Sequence, residues 1–223
     1  MPAFAGPGGS LFIDSQSSRL TSALATLRRG AAFFGDGLRT AKGGGARSPV
    51  SLPPGSVGVA GRCDHKVIGN GLRELDRFLS VLIDEVAGAL PPRHVDTGSL
   101  ARQRNTPNKL RALHTAMGRP SPDHDRLRAI GRSRDCLFYC DGIVTRSDRR
   151  HGGTMTVGWP CGEHAGGLGR SIAIGERLVV TPANLVWISA FYDRLAMDLV
   201  AASSGRPGAL VDMDADLAYM QSC

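Results

Sequence analysis

The apolar residues in the middle of the chain predict a long helix between about Asp64 and Pro92. They recur every three or four residues and fall on one wide stripe of the helix surface, formed by Leu72, Leu75, Phe78, Leu79, Leu82, Ile83, Val86 and Leu90. Pro91 and Pro92 end the helix. A stripe of this width is typical of a helix that faces a hydrophobic core, so we expect it to be structural. A shorter helix follows over residues 106–118.

Beyond Gly142 the apolar residues alternate instead of following helical spacing. This pattern predicts a β-hairpin over about residues 154–180, with a turn at Gly175-Glu176. Thr181 and Pro182 then start a long helix over residues 183–202 that is apolar on almost every face. A helix of this kind is central to the fold or shared with a second subunit.

The two ends of the chain differ in composition from the middle. Residues 1–63 are rich in Gly and Pro, and we expect them to be flexible and to contain at most a broken amphipathic helix over residues 18–41. Residues 204–223 predict an acidic mobile tail. The ordered domain is therefore expected over residues 64–203. Its predicted fold class is mostly α, a small helical bundle with a β-hairpin inserted before the last long helix.

Charge is concentrated in one segment of the chain. Residues 93–150 hold thirteen Lys and Arg side chains against six Asp and Glu, an excess equal to the net charge of +7 of the whole chain. A phosphate-bearing partner would use such a field, although a solvated basic face would look the same. The sequence contains no run of about 18 apolar residues, so we expect a cytoplasmic protein that does not enter a membrane.

A second helix, within residues 121–142, carries an arginine where a leucine would be expected. Ser121 and Pro122 predict its start and Asp141-Gly142 its end. Arg134 falls in the centre of an apolar stripe formed by Leu127, Ile130, Leu137 and Phe138. Because burial of an unpaired guanidinium is costly, Arg134 either pairs with a carboxylate inside the fold or lines a cleft where it meets an anion.

The residues from Arg134 to Tyr139 resemble the signature helix of the HEPN superfamily, which reads Arg, a polar residue, three further residues and His. Here Asp135 holds the polar position and Tyr139 stands where that family has its His. The order of predicted elements over about residues 65–203 also resembles HEPN architecture. The resemblance implies a homodimer and a metal-independent RNase site without a cofactor.

In this interpretation Arg134, Asp135 and Tyr139 are the candidate catalytic residues, and Arg134 would stabilise charge on phosphoryl oxygens. His151 could supply the missing imidazole if its loop folds back. Basic residues around the helix are the candidate RNA contacts: Arg126, Arg128, Arg132, Arg146, Arg149, Arg150 and His151. The chain is then either an endoribonuclease with a modified site or an RNA-binding module that has lost catalysis.

Two further hypotheses remain open from the sequence. The series Cys136, Cys140, Cys161 and His164 has enough ligands for a structural zinc ion, with Cys136 and Cys140 expected on the face opposite the apolar stripe. Reduced thiols are the alternative for the five cysteines. The chain could also be a non-enzymatic helical domain that binds a protein partner, such as the adaptor or antitoxin half of a two-gene system.

Overall fold

The structure is a computed structural model, and it describes residues 8–43, 57–91, 97–149, 152–160 and 169–203. Within these residues it is mostly helical, with a two-stranded antiparallel hairpin before the last helix, which confirms the predicted fold class. The helices are α1 (Gly8–Gly43), α2 (Val57–Ala89), α3 (Thr97–Ala101), α4 (Thr106–Ala116), α5 (His124–Tyr139) and α6 (Pro182–Ser203); the strands are β1 (Thr154–Thr156) and β2 (Ser171–Ala173). None of the helices in these ranges is long and apolar enough to cross a membrane.

The centre of the bundle is α2, which packs against α1, α4, α5 and α6. Its apolar stripe is buried as the spacing predicted, and Leu72, Leu75, Leu79, Leu82, Ile83 and Val86 all belong to the core. The last helix, α6, begins where expected. Thr181 and Asn184 cap it reciprocally, since the Asn184 amide N–H donates to Thr181 Oγ1 at 3.2 Å and the Thr181 amide N–H donates to Asn184 Oδ1 at 2.9 Å.

The first helix differs from the broken helix that the glycines suggested, because α1 runs continuously from Gly8 to Gly43. A Cβ atom at Gly30 would lie 3.0 Å from the Phe78 ring, so the glycine allows α1 to approach α2 closely. Ser189 on α6 donates a 2.6 Å hydrogen bond to the Ala31 carbonyl oxygen. Packing against α2 and α6 thus offsets the low helix propensity of the glycines. Residues 44–56 of the region expected to be flexible, and the whole acidic tail, lie outside the described residues.

The hairpin is shorter than predicted and is arranged differently. Met155 of β1 pairs with Ile172 of β2, and both side chains are buried. The Gly175-Glu176 turn lies after β2 and leads the chain back to the segment that follows α5. There the Gly175 amide N–H donates to the Val144 carbonyl oxygen at 2.8 Å. After this turn, the described residues of the predicted hairpin form an isolated bridge, between Ile143 and Arg177, and not a strand.

The start of α5 corrects one sequence interpretation. Ser121 does not cap the helix, which begins at His124 after Asp123, and no side chain caps its first amides. The Asp123 carboxylate instead receives two hydrogen bonds from Arg194 of α6, at 2.7 and 3.2 Å. A bidentate partner outcompetes a local cap for this carboxylate.

Candidate functional site

Arg134 lies at the contact between α5 and α2 and is held by two carboxylates. Its Nη1 donates to Asp76 Oδ2 at 3.0 Å, and its Nε donates to Asp135 Oδ1 at 2.9 Å. The Arg134 side chain is 24% exposed and that of Asp76 is 22% exposed, so the Asp76 pair is shielded from most of the solvent. Of the two roles that the sequence left open for Arg134, this geometry favours the internal ion pair.

Burial and neighbouring charges both shift the pKa values of the groups around Arg134. Burial raises the pKa of Asp76, and the lowering effect of Arg134 does not cancel it. Burial lowers the pKa of Arg134, but Asp135 and Asp76 together raise it by more. The pKa of Asp76 is raised because burial outweighs the effect of its single guanidinium partner, whereas the pKa of Arg134 is raised because two carboxylates outweigh its burial. Burial also raises the pKa of Tyr192 on α6, next to this pair.

Tyr139 lies apart from that pair, at a surface cavity that we call the Tyr139 cavity. The cavity has a volume of about 390 Å³ and lies between the end of α5, the loop after it and β1; its described lining is Arg132, Asp135, Cys136, Tyr139, Cys140, Thr145, Arg146, Ser147 and Met155. Tyr139 is 69% exposed to solvent. Arg134 is not among the described lining residues of this cavity.

Asp135 connects the two places, because it lines the Tyr139 cavity and also accepts the hydrogen bond from Arg134. The three candidate catalytic residues are therefore arranged in a row: Arg134 against α2, Asp135 between, and Tyr139 at the cavity. The Arg134 guanidinium partly neutralises the Asp135 carboxylate.

The candidate RNA contacts are distributed unevenly around α5. Arg132 and Arg146 line the Tyr139 cavity, and Arg128, Arg146 and Arg149 are exposed. Arg132 Nε lies 2.7 Å from Asp148 Oδ1, although the N–H is not aimed at that oxygen. Arg126 lies over the Trp187 ring, 5.1 Å from its centroid, on another side of the bundle. Arg150 and His151 lie outside the described residues, so the role of His151 stays a prediction.

The two cysteines at the end of α5 differ in burial, and the face opposite the apolar stripe is partly covered. Cys136 is 6% exposed and belongs to the hydrophobic core, and Met155, from the segment after α5, lines the same cavity. Burial, and to a smaller extent Cys140, raise the pKa of Cys136 to about 11. Cys140 is half-buried, and its Sγ lies 3.2 Å from Thr145 Oγ1 in a hydrogen bond.

The zinc hypothesis stays a prediction. Cys161 and His164, the other two ligands that it needs, lie outside the described residues. In the part of the chain that the structure describes, His, Cys, Asp and Glu side chains form no group of three or more that could hold a metal ion.

Sequence reasoning missed Asp76 as a partner of Arg134. Asp76 was passed over because its helix was interpreted as core alone, yet it lies on the apolar stripe itself, four residues after Leu72 and three before Leu79. An acid and an arginine, each placed on an apolar stripe, are a signal for a buried pair. Arg194 was missed for the same reason, since α6 was described by its apolar residues.

Comparison with known proteins gave no further assignment. No protein-family model, curated protein or solved structure matches this chain. The HEPN resemblance therefore rests on the residues from Arg134 to Tyr139 and on the order of the elements.

Proposed function

We propose that the chain is an RNA-binding module, as the HEPN resemblance implies, which binds single-stranded RNA at the Tyr139 cavity and does not cleave it. One observation carries the proposal: Tyr139 is exposed beside a cavity lined by Arg132 and Arg146, while Arg134 is engaged elsewhere by Asp76 and Asp135. The homodimer that the resemblance implies is not required for this function.

An exposed aromatic ring next to arginines is an arrangement that suits single strands. An unpaired base stacks on a tyrosine ring, while guanidinium groups contact the backbone phosphates on either side. Arg146 lines the same cavity as Tyr139, and the exposed Arg149 lies three residues further along the same loop. Duplex RNA keeps its bases stacked inside the helix, so it would gain nothing from Tyr139.

Loss of cleavage follows from the position of Arg134. The charge of its guanidinium is already compensated by two carboxylates, one of which is largely buried, so a phosphoryl oxygen would gain less from it than from an unpaired arginine. A phenol at the position of the usual imidazole is also a poorer general base at neutral pH. Both components of the family's chemistry are therefore weakened, while the groups suited to binding remain exposed.

The proposal is tested with fluorescently labelled single-stranded RNA and fluorescence anisotropy, at low and moderate salt. Tyr139→Ala should weaken binding by about 1 to 3 kcal/mol, the value of one stacked base, and Tyr139→Phe should retain most of it. Phe33→Ala removes an aromatic ring that is 78% exposed on α1 and serves as the matched control. Binding that is unchanged by Tyr139→Ala would refute the proposed site.

Electrostatic contributions need a separate control. Arg146→Ala should weaken binding and reduce its salt dependence. Arg111→Ala removes an exposed arginine of α4 away from the Tyr139 cavity and should have a smaller effect. Equal effects of the two substitutions would indicate a non-specific response to net charge.

The partner-binding hypothesis is the second candidate, and the exposed Phe33 favours it. A large aromatic side chain in contact with water on a helix is a common anchor at protein interfaces. This candidate predicts that Phe33→Ala abolishes a protein interaction and that RNA binding disappears at moderate salt without sensitivity to Tyr139.

A further inference from the structure

Three sulfur-containing side chains belong to the lining of the Tyr139 cavity. Two are the thiols of Cys136 and Cys140, and the third is the thioether of Met155 on β1. The two cysteines are four residues apart, which places them as neighbours on one face of the end of α5. The chain thus brings soft donor atoms from a helix and a strand to one cavity.

The surroundings of these sulfur atoms suit a bound cation that is shielded from water. Cys136 is 6% exposed and Met155 is 3% exposed, while Cys140 is only half-buried. A cation would therefore reach the site past Cys140. Both cysteines are free thiols. Thr145 Oγ1, 3.2 Å from Cys140 Sγ, is placed to donate a hydrogen bond to a thiolate there.

We propose that Cys136, Cys140 and Met155 form a binding site for a soft monovalent cation, Cu(I). Thiolate and thioether sulfur are the ligands that select Cu(I), whereas Mg²⁺ and Ca²⁺ prefer oxygen. Structural zinc almost always takes four ligands, and the described cavity lining offers three sulfur donors. Cu(I) is therefore the cation that fits this donor set best.

The charges balance at this site. When one Cu(I) binds, the two thiols become thiolates and release two protons to the solvent, so the metal and its ligands carry one net negative charge. Arg146 lines the same cavity and can compensate it. This inference does not depend on RNA binding, because it uses the sulfur atoms and not the Tyr139 ring.

The test is a titration of the full-length, reduced protein with Cu(I) against a chromophoric Cu(I) chelator, without oxygen. We expect the tightest equivalent of Cu(I) to be lost in Cys136→Ser and in Cys140→Ser. Substitution of residues that only support the ligands typically weakens metal binding by about tenfold or more. Met155→Leu removes a ligand itself, so it should lower the affinity for Cu(I) by at least about tenfold. Met197→Leu changes an exposed methionine of α6 and should have no effect.

X-ray absorption spectroscopy of the metal-loaded protein makes the assignment independent of folding defects. A shell of sulfur neighbours alone is the expected result, and a shell that contains nitrogen would overturn the proposal. Wild-type affinity in both Cys140→Ser and Met155→Leu would overturn it as well. Loss of the tightest equivalent in Cys161→Ser would also contradict the three-sulfur site, since it would point to a different ligand set.

Discussion

Arg134 and Asp76 form an ion pair that ties α5 to α2, with Arg134 Nη1 donating to Asp76 Oδ2 at 3.0 Å. The pair explains why an arginine occupies the centre of an apolar helix stripe. It also holds at the contact between α5 and α2 the arginine that the HEPN resemblance would make catalytic. The ion pair and Tyr139, the residue that we propose for RNA binding, therefore lie on different sides of the same helix.

Arg134→Ala should destabilise the fold. The substitution leaves the largely buried Asp76 carboxylate without its cation, which should lower the free energy of unfolding by about 1 to 3 kcal/mol at neutral pH. Urea denaturation followed by circular dichroism measures this change. A loss no larger than that of the exposed control Arg111→Ala would show that the pair contributes nothing.

The cost of Arg134→Ala should depend on pH. Burial already raises the pKa of Asp76 above its ordinary value of 3.8, and removal of the guanidinium raises it further. A carboxyl group with a raised folded-state pKa stabilises the fold when protonated; this contribution is complete below 3.8 and is lost as the pH rises through the raised pKa. The variant should thus recover stability from neutral toward acidic pH. Adding Asp76→Asn should abolish that recovery and restore stability at neutral pH.

Tyr139→His should not create RNase activity. The new imidazole would stand at the cavity, but the Arg134 guanidinium would remain held by Asp76 and Asp135. Because Tyr139 is exposed, the substitution should change stability by no more than about 0.5 kcal/mol. End-labelled RNA incubated in chelator gives the measurement. Cleavage by Tyr139→His that disappears on adding Arg134→Ala would mean that Arg134 reaches the phosphate after all.

Arg194→Lys should weaken the contact between α6 and the start of α5. Arg194 binds both oxygens of Asp123 and also donates to Asp198 at 3.0 Å, a fork that a lysine does not reproduce. We expect a loss of about 1 to 2 kcal/mol in the free energy of unfolding. Arg28→Lys is the matched control, because its pair with Asp193 is exposed and should contribute less than about 1 kcal/mol. Equal losses would contradict the importance of the bidentate geometry.

Gly158→Ala should disturb the packing of the hairpin segment on α5. A Cβ atom at Gly158 would collide with the Ile130 backbone and would lie 2.7 Å from Ile130 Cα. Such overpacking typically costs about 1 to 3 kcal/mol. Gly153→Ala, whose Cβ would meet nothing within 4 Å, should be nearly neutral. Thermal unfolding of the two variants distinguishes them, and a neutral Gly158→Ala would be incompatible with this close contact.

The sequence predicted those features that depend on local periodicity. The stripe of α2, the capped start of α6 at Thr181 and the change to alternation at Met155 are each encoded within a few residues. It did not predict that α1 would be continuous, because the contacts that compensate Gly30 come from Phe78 and lie far away in the chain. The burial of Cys136 was not predicted for a similar reason, since it depends on residues from the segment after α5, such as Met155, that helical spacing alone does not place.

The sequence offered candidate site residues but not their geometry. Spacing placed Arg134 on the apolar stripe and left two roles open for it, an internal ion pair or an anion-binding cleft. Choosing between them required the position of Asp76, 58 residues earlier in the chain, which no local pattern gives. The Tyr139 cavity likewise depends on how the loop containing Arg146 folds back against α5.

The most direct test of RNA binding at the Tyr139 cavity is photo-crosslinking with single-stranded RNA that contains a photoactivatable uridine. Trypsin releases residues 135–146 as one peptide, which contains Tyr139 and ends at Arg146. We predict that mass spectrometry finds the crosslinked nucleotide on this peptide and that Tyr139→Ala strongly reduces it. Crosslinks found only on other peptides, such as residues 30–39 with Phe33, would contradict binding at this cavity.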